Sequence, residues 1–302
     1  MRDSPPILGD ASQSLVGPPA VAADAPAGLW GVVGSAAHRR PRSQFVLLAV
    51  YLAVLAVAEL LLVFANQSGD GTFALYGLLL DVILVVSLPL AASRFAVKDE
   101  PFAAFLGTLM LPPLIRAVTL STPLILFTQT EWLAVVSVPL LLAAASMMRA
   151  LHLRPRDVFL ALGKRRYLAV NITFAAAGLG FGLAEFRILH PQPWIDASGS
   201  GRFVLGAVGI FLSTGLAEEL IYRGLLLRTG TRFLGTAGGL VYVTVVFTIL
   251  HAGFLSLADL GLVFAFGLSA GIVVLFTRSL WGAVAAHTVA NVLLYMVLPF
   301  GL

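Results

Sequence analysis

Three short polar motifs interrupt the apolar C-terminal part of the chain, and their side chains are of the types that hydrolytic chemistry uses. The motifs are, in chain order, Glu218 and Glu219 with Arg223, Phe247 with His251, and His287 with Asn291. A polar group inside hydrocarbon is costly unless it is paired or hydrated. Carboxylates and imidazoles accept protons from water, and a carboxamide can stabilise a developing negative charge. The motifs together therefore predict a water-containing catalytic site inside a membrane.

The two adjacent glutamates cannot serve one reacting centre equally, because neighbouring residues of a helix point about 100° apart. Arg223 lies four residues after Glu219, on the same helical face, where an ion pair would keep the Glu219 carboxylate ionised. Glu218 is then left to face a cavity, where its carboxylate can accept a proton from water. The alternative for this motif is a Glu/Arg network that only locks two helices together.

The two histidine motifs each have a structural explanation when they are taken singly. His251 closes the apolar run 241–250, with Phe247 one turn before it, and a histidine at a helix end is commonly an interface residue. His287 and Asn291 project from one face of the last span, where they could form a hydrogen-bond clamp between helices. Three unrelated clamps within the last four spans, while the first five spans carry few charges, would be a poor coincidence, so we predict one shared site.

The composition independently predicts a polytopic membrane protein. Of 302 residues, 59% are hydrophobic and only 11% charged, with a mean hydropathy of +0.96, far from the mix of a soluble domain. Cysteine is absent, which excludes disulfides and thiolate chemistry and leaves His, Asp and Glu to hold any metal. The net charge of +4 is interpreted as a topology signal, and we expect the lipid bilayer, not a nucleic acid, as the partner.

The chain divides into three regions. Residues 1–43 are rich in Pro, Ala, Gly and Ser, which predicts a disordered cytoplasmic tail and not a cleaved signal peptide. Residues 44–190 hold the variable first transmembrane helices, and residues 203–298 hold the motifs. Apolar runs of about 20 residues are long enough to span a bilayer, and they predict an all-α fold with nine transmembrane helices. These runs lie at 44–65, 73–92, 102–122, 132–151, 168–189, 203–227, 234–251, 258–276 and 280–298.

The distribution of Lys and Arg supports this count. With the tail in the cytoplasm, 16 of the 19 basic residues fall in inside connections or at adjoining helix ends; Arg187 and Arg202 fall outside, and Arg116 lies within a span. The positive-inside rule therefore predicts a multi-pass protein of the cell membrane with a cytoplasmic N-terminus and an external C-terminus. Counting along the helices, we expect the site in the cytoplasmic to middle part of the bilayer.

The motifs Glu-Glu-x-x-x-Arg, Phe-x-x-x-His and His-x-x-x-Asn, in this order, resemble those of the CPBP family of intramembrane proteases. That family includes the type II CAAX prenyl endopeptidases and the bacteriocin-immunity-type bacterial proteins. The resemblance covers about residues 203–298, and every motif position is filled. It implies a C-terminal four-helix protease core that hydrolyses a peptide bond of a membrane-associated protein or peptide.

The resemblance also implies roles for individual residues. By position, Glu218 with His251 would hold and deprotonate the attacking water, and His287 with Asn291 would stabilise the oxyanion of the tetrahedral intermediate. The supporting residues are Glu219, Arg223 and Phe247. This division between the two glutamates agrees with their directions on the helix.

A catalytic zinc is the alternative to a glutamate-dependent mechanism. Glu218, His251 and His287 are enough ligands for zinc with an open position, and the family has often been described as metalloproteases. A mechanism without metal is equally compatible with the resemblance. Because the H-E-x-x-H spacing of zincins is absent, we favour no metal cofactor.

Charged and small residues elsewhere in the spans have structural interpretations. Asp81 and Arg116 have similar depths and are predicted to form an ion pair. Glu185 and Glu59 lie near outer helix ends and are interpreted as reaching the lipid headgroups. The Gly267-x-x-x-Gly271 motif predicts a close-packing face in the eighth span.

Two other classes of function fit the same residues. A non-proteolytic membrane protein of the family could use these helices for partner binding or bacteriocin immunity, and it would bind without cleaving. A proton-coupled transporter could use Glu and His chains as relays. The transporter predicts inverted repeats with discontinuous helices, and the two halves of the sequence show no convincing repeat.

Overall fold

A computed structural model describes residues 40–195 and 200–301. The described structure is 85% helical and contains no strand, so the predicted all-α class is confirmed. The predicted tail at residues 1–43 lies outside the described residues, except for its last four positions. The first helix begins among those four, at Arg42.

Ten α-helices follow one another along the described residues. They are α1 Arg42–Ser68, α2 Gly71–Phe95, α3 Glu100–Thr108, α4 Leu111–Ser121, α5 Gln129–Ala150, α6 Leu168–Leu189, α7 Ser200–Ile210, α8 Leu227–Ile249, α9 Leu257–Thr277 and α10 Trp281–Val292. Between α7 and α8 the chain remains helical but is wound as the wider π-helix, over Phe211–Glu218 and Leu220–Leu226. This rare winding is frequent at functional sites, and here Glu218 ends the first π-helical segment and Glu219 lies between the two.

The protein is a multi-pass membrane protein, and a sharp turn at Gly235 interrupts its longest helical stretch. Eight helical stretches are long and apolar enough to cross a membrane, and one of them, 201–249, has 49 residues. That stretch is interrupted at Gly235, where φ is 78° and ψ is 169°. A Cβ on Gly239 would lie 2.4 Å from the backbone nitrogen of Thr231, although residues eight apart in a straight helix are about 12 Å apart. The chain therefore folds back at Gly235, which divides this stretch into two helical segments, and the count of nine crossings stays a prediction.

Local sequence explains several helix ends. Gly69 adopts a left-handed conformation, with φ at 69°, and its N–H closes α1 on the carbonyl of Ala65. Asp70 then caps α2, since its side chain accepts a hydrogen bond from the backbone N–H of Thr72 at 2.9 Å. The third crossing is split into α3 and α4 just before Pro112-Pro113, because proline supplies no N–H to continue a preceding helix.

Glycines let α10 lie directly against α6. A Cβ on Gly178 would lie 2.3 Å from the carbonyl oxygen of Ala286, and one on Gly182 would lie 2.6 Å from that of Ala290. Any side chain larger than hydrogen at these two positions would push the helices apart. The helix that carries His287 is thus held by α6, a helix that precedes the motif region.

The Gly267-x-x-x-Gly271 motif does form a close-packing face, as predicted. It brings α9 against α8, where a Cβ on Gly271 would lie 2.4 Å from Leu240 Cδ1 and one on Gly267 would lie 3.2 Å from Phe247 Cδ1. A methyl group at either position would therefore require the neighbouring side chain of α8 to shift. The motif-bearing helix α8 is therefore fixed against α9.

The connections between helices sort into two ends of the bundle. The basic end comprises connections 96–99, 151–167 and 278–280 and the turn at Gly235, and hydrogen bonds such as Leu280 N–H to the Phe159 carbonyl, 2.8 Å, join them. The distal end comprises 69–70, 122–128, 190–195 and 250–256. The basic residues at and beside the basic end are Arg40, Arg42, Arg94, Lys98, Arg149, Arg154, Arg156, Lys164, Arg165, Arg166, Arg228, Arg232 and Arg278.

Candidate functional site

Glu219 lies at the centre of a buried hydrogen-bond cluster. Its Oε1 accepts one hydrogen bond from Arg223 Nη1 at 2.8 Å and another from His287 Nδ1 at 2.9 Å. The side chain of Glu219 is fully buried, and its Oε2 has no hydrogen-bond partner within the described residues. The ion pair between Glu219 and Arg223 that their four-residue spacing predicted is therefore present. The bond to His287 joins two motifs that lie 68 residues apart in sequence.

Aromatic rings surround the guanidinium group of Arg223. Its central carbon lies 4.2 Å from the ring centroid of Phe247 and 5.8 Å from the centroids of Tyr222 and Phe266. The negative faces of aromatic rings attract a cation, which offsets part of the cost of burying Arg223, a residue only 2% exposed. Arg223 is thereby held in one orientation towards Glu219.

His251 lies just beyond the last residue of α8, and its imidazole is half-buried. Its Nδ1 is 2.9 Å from the carbonyl oxygen of Phe247. Because a carbonyl oxygen only accepts hydrogen bonds, Nδ1 carries the proton of the neutral ring and Nε2 carries the free lone pair. The ring also packs against that of Phe247, with centroids 4.6 Å apart. The four-residue spacing of this motif therefore fixes both the tautomer and the direction of the imidazole.

A cavity of about 590 Å³ brings the three motifs together. Glu218, His251, His287 and Asn291 all line it. His287 and Asn291 are buried, whereas Glu218 and His251 are half-buried. Much of the remaining wall comes from helices that carry none of the three motifs, with apolar side chains from α4, α5, α6 and α9. Among these apolar lining residues are Ile115, Trp132, Leu133, Phe181, Val263 and Phe266.

The cavity extends from the middle of the bundle to the distal end. Its lining includes Asn66, Trp194 and Phe254 from that end, and no described residue of the basic-end connections. The cavity thus lies in the half of the bundle away from the basic end, and the expected depth of the site in the bilayer stays a prediction. The turn lies at Gly235, so Glu218 is 17 residues before it and His251 is 16 residues after it. Both lie on the order of 20–25 Å from the basic end.

Arg116 pairs with Glu59, so the predicted ion pair between Asp81 and Arg116 is wrong. Arg116 Nε donates to Glu59 Oε1 and its Nη2 donates to Oε2, the latter at 2.8 Å. The Nη2 also donates to the carbonyl oxygen of Leu250. Glu59 is 1% exposed, so its interpretation as a headgroup-facing residue is also wrong. Depth along a span predicts which residues share a level, but not which faces of two helices meet.

Two further acidic residues differ from their sequence interpretation. Asp81 is completely buried, and neither of its carboxylate oxygens has a hydrogen-bond partner within the described residues. Glu185 lines the cavity instead of facing headgroups. Glu185 lies only four residues before the end of α6, but its side chain points into the bundle because α6 packs against α10.

The candidate zinc ligands do not form a recognisable metal site. Across residues 40–195 and 200–301, no three His, Cys, Asp or Glu side chains come together in an arrangement that could hold a metal ion. The Nδ1 atoms of His251 and His287 are both engaged, by the Phe247 carbonyl and by Glu219 respectively. Glu218, His251 and His287 line the same cavity with both His Nε2 atoms unengaged by the described residues, and the choice between a zinc mechanism and one without metal stays a prediction.

The sequence alone did not indicate Tyr222 or Arg116 as cavity residues. Tyr222 lies four residues after Glu218 and lines the cavity beside it. The same helical spacing that linked Glu219 to Arg223 was the signal for it. Arg116 had no comparable signal, because its partners Glu59 and Leu250 lie 57 and 134 residues away.

Residues 200–293 match the family model described as "Rce1-like: Type II CAAX prenyl endopeptidase Rce1-like". All three motifs lie within this range. Neither the curated proteins nor the solved structures yielded a match to the chain. The helices α1 to α6 lie outside the matched range.

Proposed function

Because the chain carries an Rce1-like type II CAAX prenyl endopeptidase domain at residues 200–293, as its motifs predicted, we propose that it is an intramembrane endopeptidase. Its substrate is a membrane-associated protein or peptide. The observation that carries this proposal is the single cavity that Glu218, His251, His287 and Asn291 line together. The volume of about 590 Å³ is in the range of sites that enclose a ligand, which here is a short stretch of peptide and the attacking water.

In this proposal Glu218 and His251 activate the water. Arg223 donates to Glu219, which leaves the Glu218 carboxylate to take a proton from the water as its oxygen attacks the scissile carbonyl carbon. His251 directs the lone pair of Nε2 to the same water, since its Nδ1 is held by the Phe247 carbonyl. The proton then passes from Glu218 to the leaving nitrogen as the C–N bond breaks.

His287 and Asn291 stabilise the oxyanion that forms on the carbonyl oxygen. His287 Nδ1 donates to Glu219, so a proton on Nε2 makes the ring an imidazolium, and the Glu219 carboxylate stabilises that cation. Asn291 follows one turn later and presents its carboxamide to the same cavity. Preorganised donors of this kind contribute about 3–4 kcal/mol each to transition-state stabilisation.

Substitution of the water-activating residues tests this mechanism. Purified Glu218→Gln and His251→Ala should each lose hydrolysis by at least about 1,000-fold while inserting in the membrane and melting like wild type, because a chemical role is removed and packing is kept. Glu100→Gln is the matched control, since it alters an exposed glutamate at the basic end. Wild-type turnover in Glu218→Gln or His251→Ala would refute the assignment, and a wild type that binds peptides but never cleaves them would favour the non-proteolytic alternative.

The proposed mechanism uses no metal ion. Exhaustive chelation should then leave activity unchanged, and the purified protein should contain far less than one equivalent of zinc. His287→Ala and Asn291→Ala should lower kcat more than they raise KM, since an oxyanion donor acts in the transition state. Stoichiometric zinc that is lost in His287→Ala would make the enzyme a metalloprotease instead.

The basic end faces the cytoplasm in this proposal, so the N-terminus is cytoplasmic and the C-terminus external. The cavity then receives its substrate from the external side of the cell membrane. The absence of cysteine permits a direct test with single cysteines and a membrane-impermeant maleimide on intact cells. Asn66→Cys and Phe254→Cys should label, whereas Leu162→Cys should label only after lysis; the reverse pattern would invert the topology.

Comparing membrane and secreted peptides with and without the gene would identify the substrate.

A further inference from the structure

We infer that Arg116, held by Glu59, is a positioning residue for His251, so that helices preceding the matched domain complete its site. The inference rests on the proposed function, in which His251 acts on the attacking water. Glu59 belongs to α1 and Arg116 to α4, and both lie outside residues 200–293. The site is therefore not confined to the three motifs.

Arg116 fastens the C-terminal end of α8. Leu250 caps α8 directly after its last residue, Ile249. The carbonyl groups at a helix C-terminus have no hydrogen-bond partner within the helix. Arg116 Nη2 donates to the Leu250 carbonyl. A cation at a helix C-terminus also complements the negative end of the helix dipole. The guanidinium group of Arg116 thus supplies a hydrogen-bond donor to the carbonyl at the end of α8, directly before His251.

Glu59 in turn fixes Arg116. The two side chains form a bidentate pair, with Nε and Nη2 of Arg116 donating to the two carboxylate oxygens of Glu59. Bidentate Arg–carboxylate pairs define the orientation of both groups. The carboxylate also balances the charge of Arg116. The guanidinium therefore positions neighbouring groups of the cavity and does not act as an unpaired cation for the substrate.

The position of His251 depends on this helix end. Beyond Ile249 the backbone leaves the α-helix, and His251 is held by its N–H on the Thr248 carbonyl, 3.0 Å, and by Nδ1 on the Phe247 carbonyl. Both acceptors belong to the last turn of α8, so the imidazole keeps its direction only while that turn stays wound. A displacement of about 1 Å in a catalytic group can cost about 100-fold in rate.

Chemical modification of His251 tests the inference without requiring a substrate. Diethyl pyrocarbonate modifies imidazole nitrogens that bear a free lone pair, and mass spectrometry of the purified full-length protein reports the rate at each histidine. In Glu59→Gln and Arg116→Gln, we expect His251 to react about three- to tenfold faster than in wild type, because a loosened helix end exposes Nε2. Arg116→Lys retains a cation and should restore part of the protection.

Two internal standards make the result specific. His287 is held by Glu219 and should keep its wild-type rate in every variant, and exposed His152 corrects for reagent concentration. The matched control is Glu100→Gln, which breaks another Glu–Arg pair between helices, with Arg232, at the basic end. It should change the rate at neither cavity histidine.

Turnover provides the second readout. If a peptide substrate is cleaved, Glu59→Gln and Arg116→Gln should lower kcat about 10- to 100-fold, the range for residues that orient a catalytic group, with KM within twofold. A wild-type rate of His251 modification in both variants would overturn the inference, as would equal acceleration at His251 and His287 or an effect confined to KM. If Arg116→Gln does not fold, Glu59→Gln and Arg116→Lys carry the test. A wild type that cleaves nothing contradicts the proposed function alone, because the modification rates still decide the positioning role.

Discussion

Two Glu–Arg pairs, each with a buried glutamate, stabilise the surroundings of the same cavity, and they are built in different ways. Glu219 and Arg223 lie four residues apart in one helix, with side-chain exposures of 0% and 2%. Glu59 and Arg116 lie 57 residues apart and join α1 to α4, with exposures of 2% and 26%. The first pair orients His287, and the second anchors the helix end beside His251.

The difference shows how a membrane bundle can divide the support of one site. The Glu219–Arg223 pair is surrounded by aromatic rings, and each member has one atom, Oε2 or Nη2, with no hydrogen-bond partner within the described residues. The charges of this pair therefore depend on each other. Arg116 has a second acceptor in the Leu250 carbonyl and borders the cavity, so water can reach it if Glu59 is lost.

Breaking the first pair should have the largest effect on stability. Glu219→Gln leaves the Arg223 guanidinium without its counter-charge, and Arg223→Ala leaves the Glu219 carboxylate without one. Either change should lower the free energy of unfolding by about 3–5 kcal/mol, because the pair is buried. Thermal unfolding in detergent should show a large fall in melting temperature, together with loss of activity because His287 is released. If both variants melt like wild type, the pair does not support the fold.

Breaking the second pair should cost less. Glu59→Gln leaves Arg116 charged, but the guanidinium keeps the Leu250 carbonyl and gains access to cavity water, so we expect a loss of about 1–3 kcal/mol. Unfolding of Glu59→Gln and Glu219→Gln measured side by side gives the comparison directly. A larger loss in Glu59→Gln would mean that the contact between α1 and α4 is the main support of the bundle.

The two pairs also mark how far the sequence predicts this molecule. The spacing of Glu219 and Arg223 follows from helical periodicity, and composition with the length of the apolar runs was enough to predict an all-α, multi-pass bundle. The partner of Arg116 could not be predicted, because similar depth along two spans does not specify which helix faces meet. The distance of the site from the basic end depends on a local feature, because the backbone turns at Gly235, whereas the apolar runs that end at 227 and begin at 234 imply a slightly earlier connection. The chemical roles of Glu218, His251, His287 and Asn291 stay predictions.

The packing that holds Arg223 can be tested on α9. A Cβ on Gly267 would lie 3.2 Å from Phe247 Cδ1 and 3.3 Å from Arg223 Nη2, so Gly267→Ala should crowd the aromatic surroundings of the first pair and cost about 1–3 kcal/mol. Gly261→Ala on the same helix is the matched control, because no atom lies within 4 Å of its added Cβ. Alanine is the better helix former, so the control should melt at or slightly above the wild-type temperature. Equal melting of the two variants would show that the contact at Gly267 relaxes freely.

Asp81 should give the smallest effect, although it is buried as deeply as either glutamate of the two pairs. Its carboxylate oxygens have no hydrogen-bond partner within the described residues, and a buried charge without a partner costs free energy. Asp81→Asn keeps the shape and removes that charge, so we expect a change in unfolding free energy of less than about 1 kcal/mol, or a gain. The contrast with Glu59→Gln separates burial from pairing, since both substitutions turn a buried carboxylate into an amide. A loss in Asp81→Asn as large as that in Glu59→Gln would mean that Asp81 shares the support of Arg116, and that the second pair is a cluster of three charges.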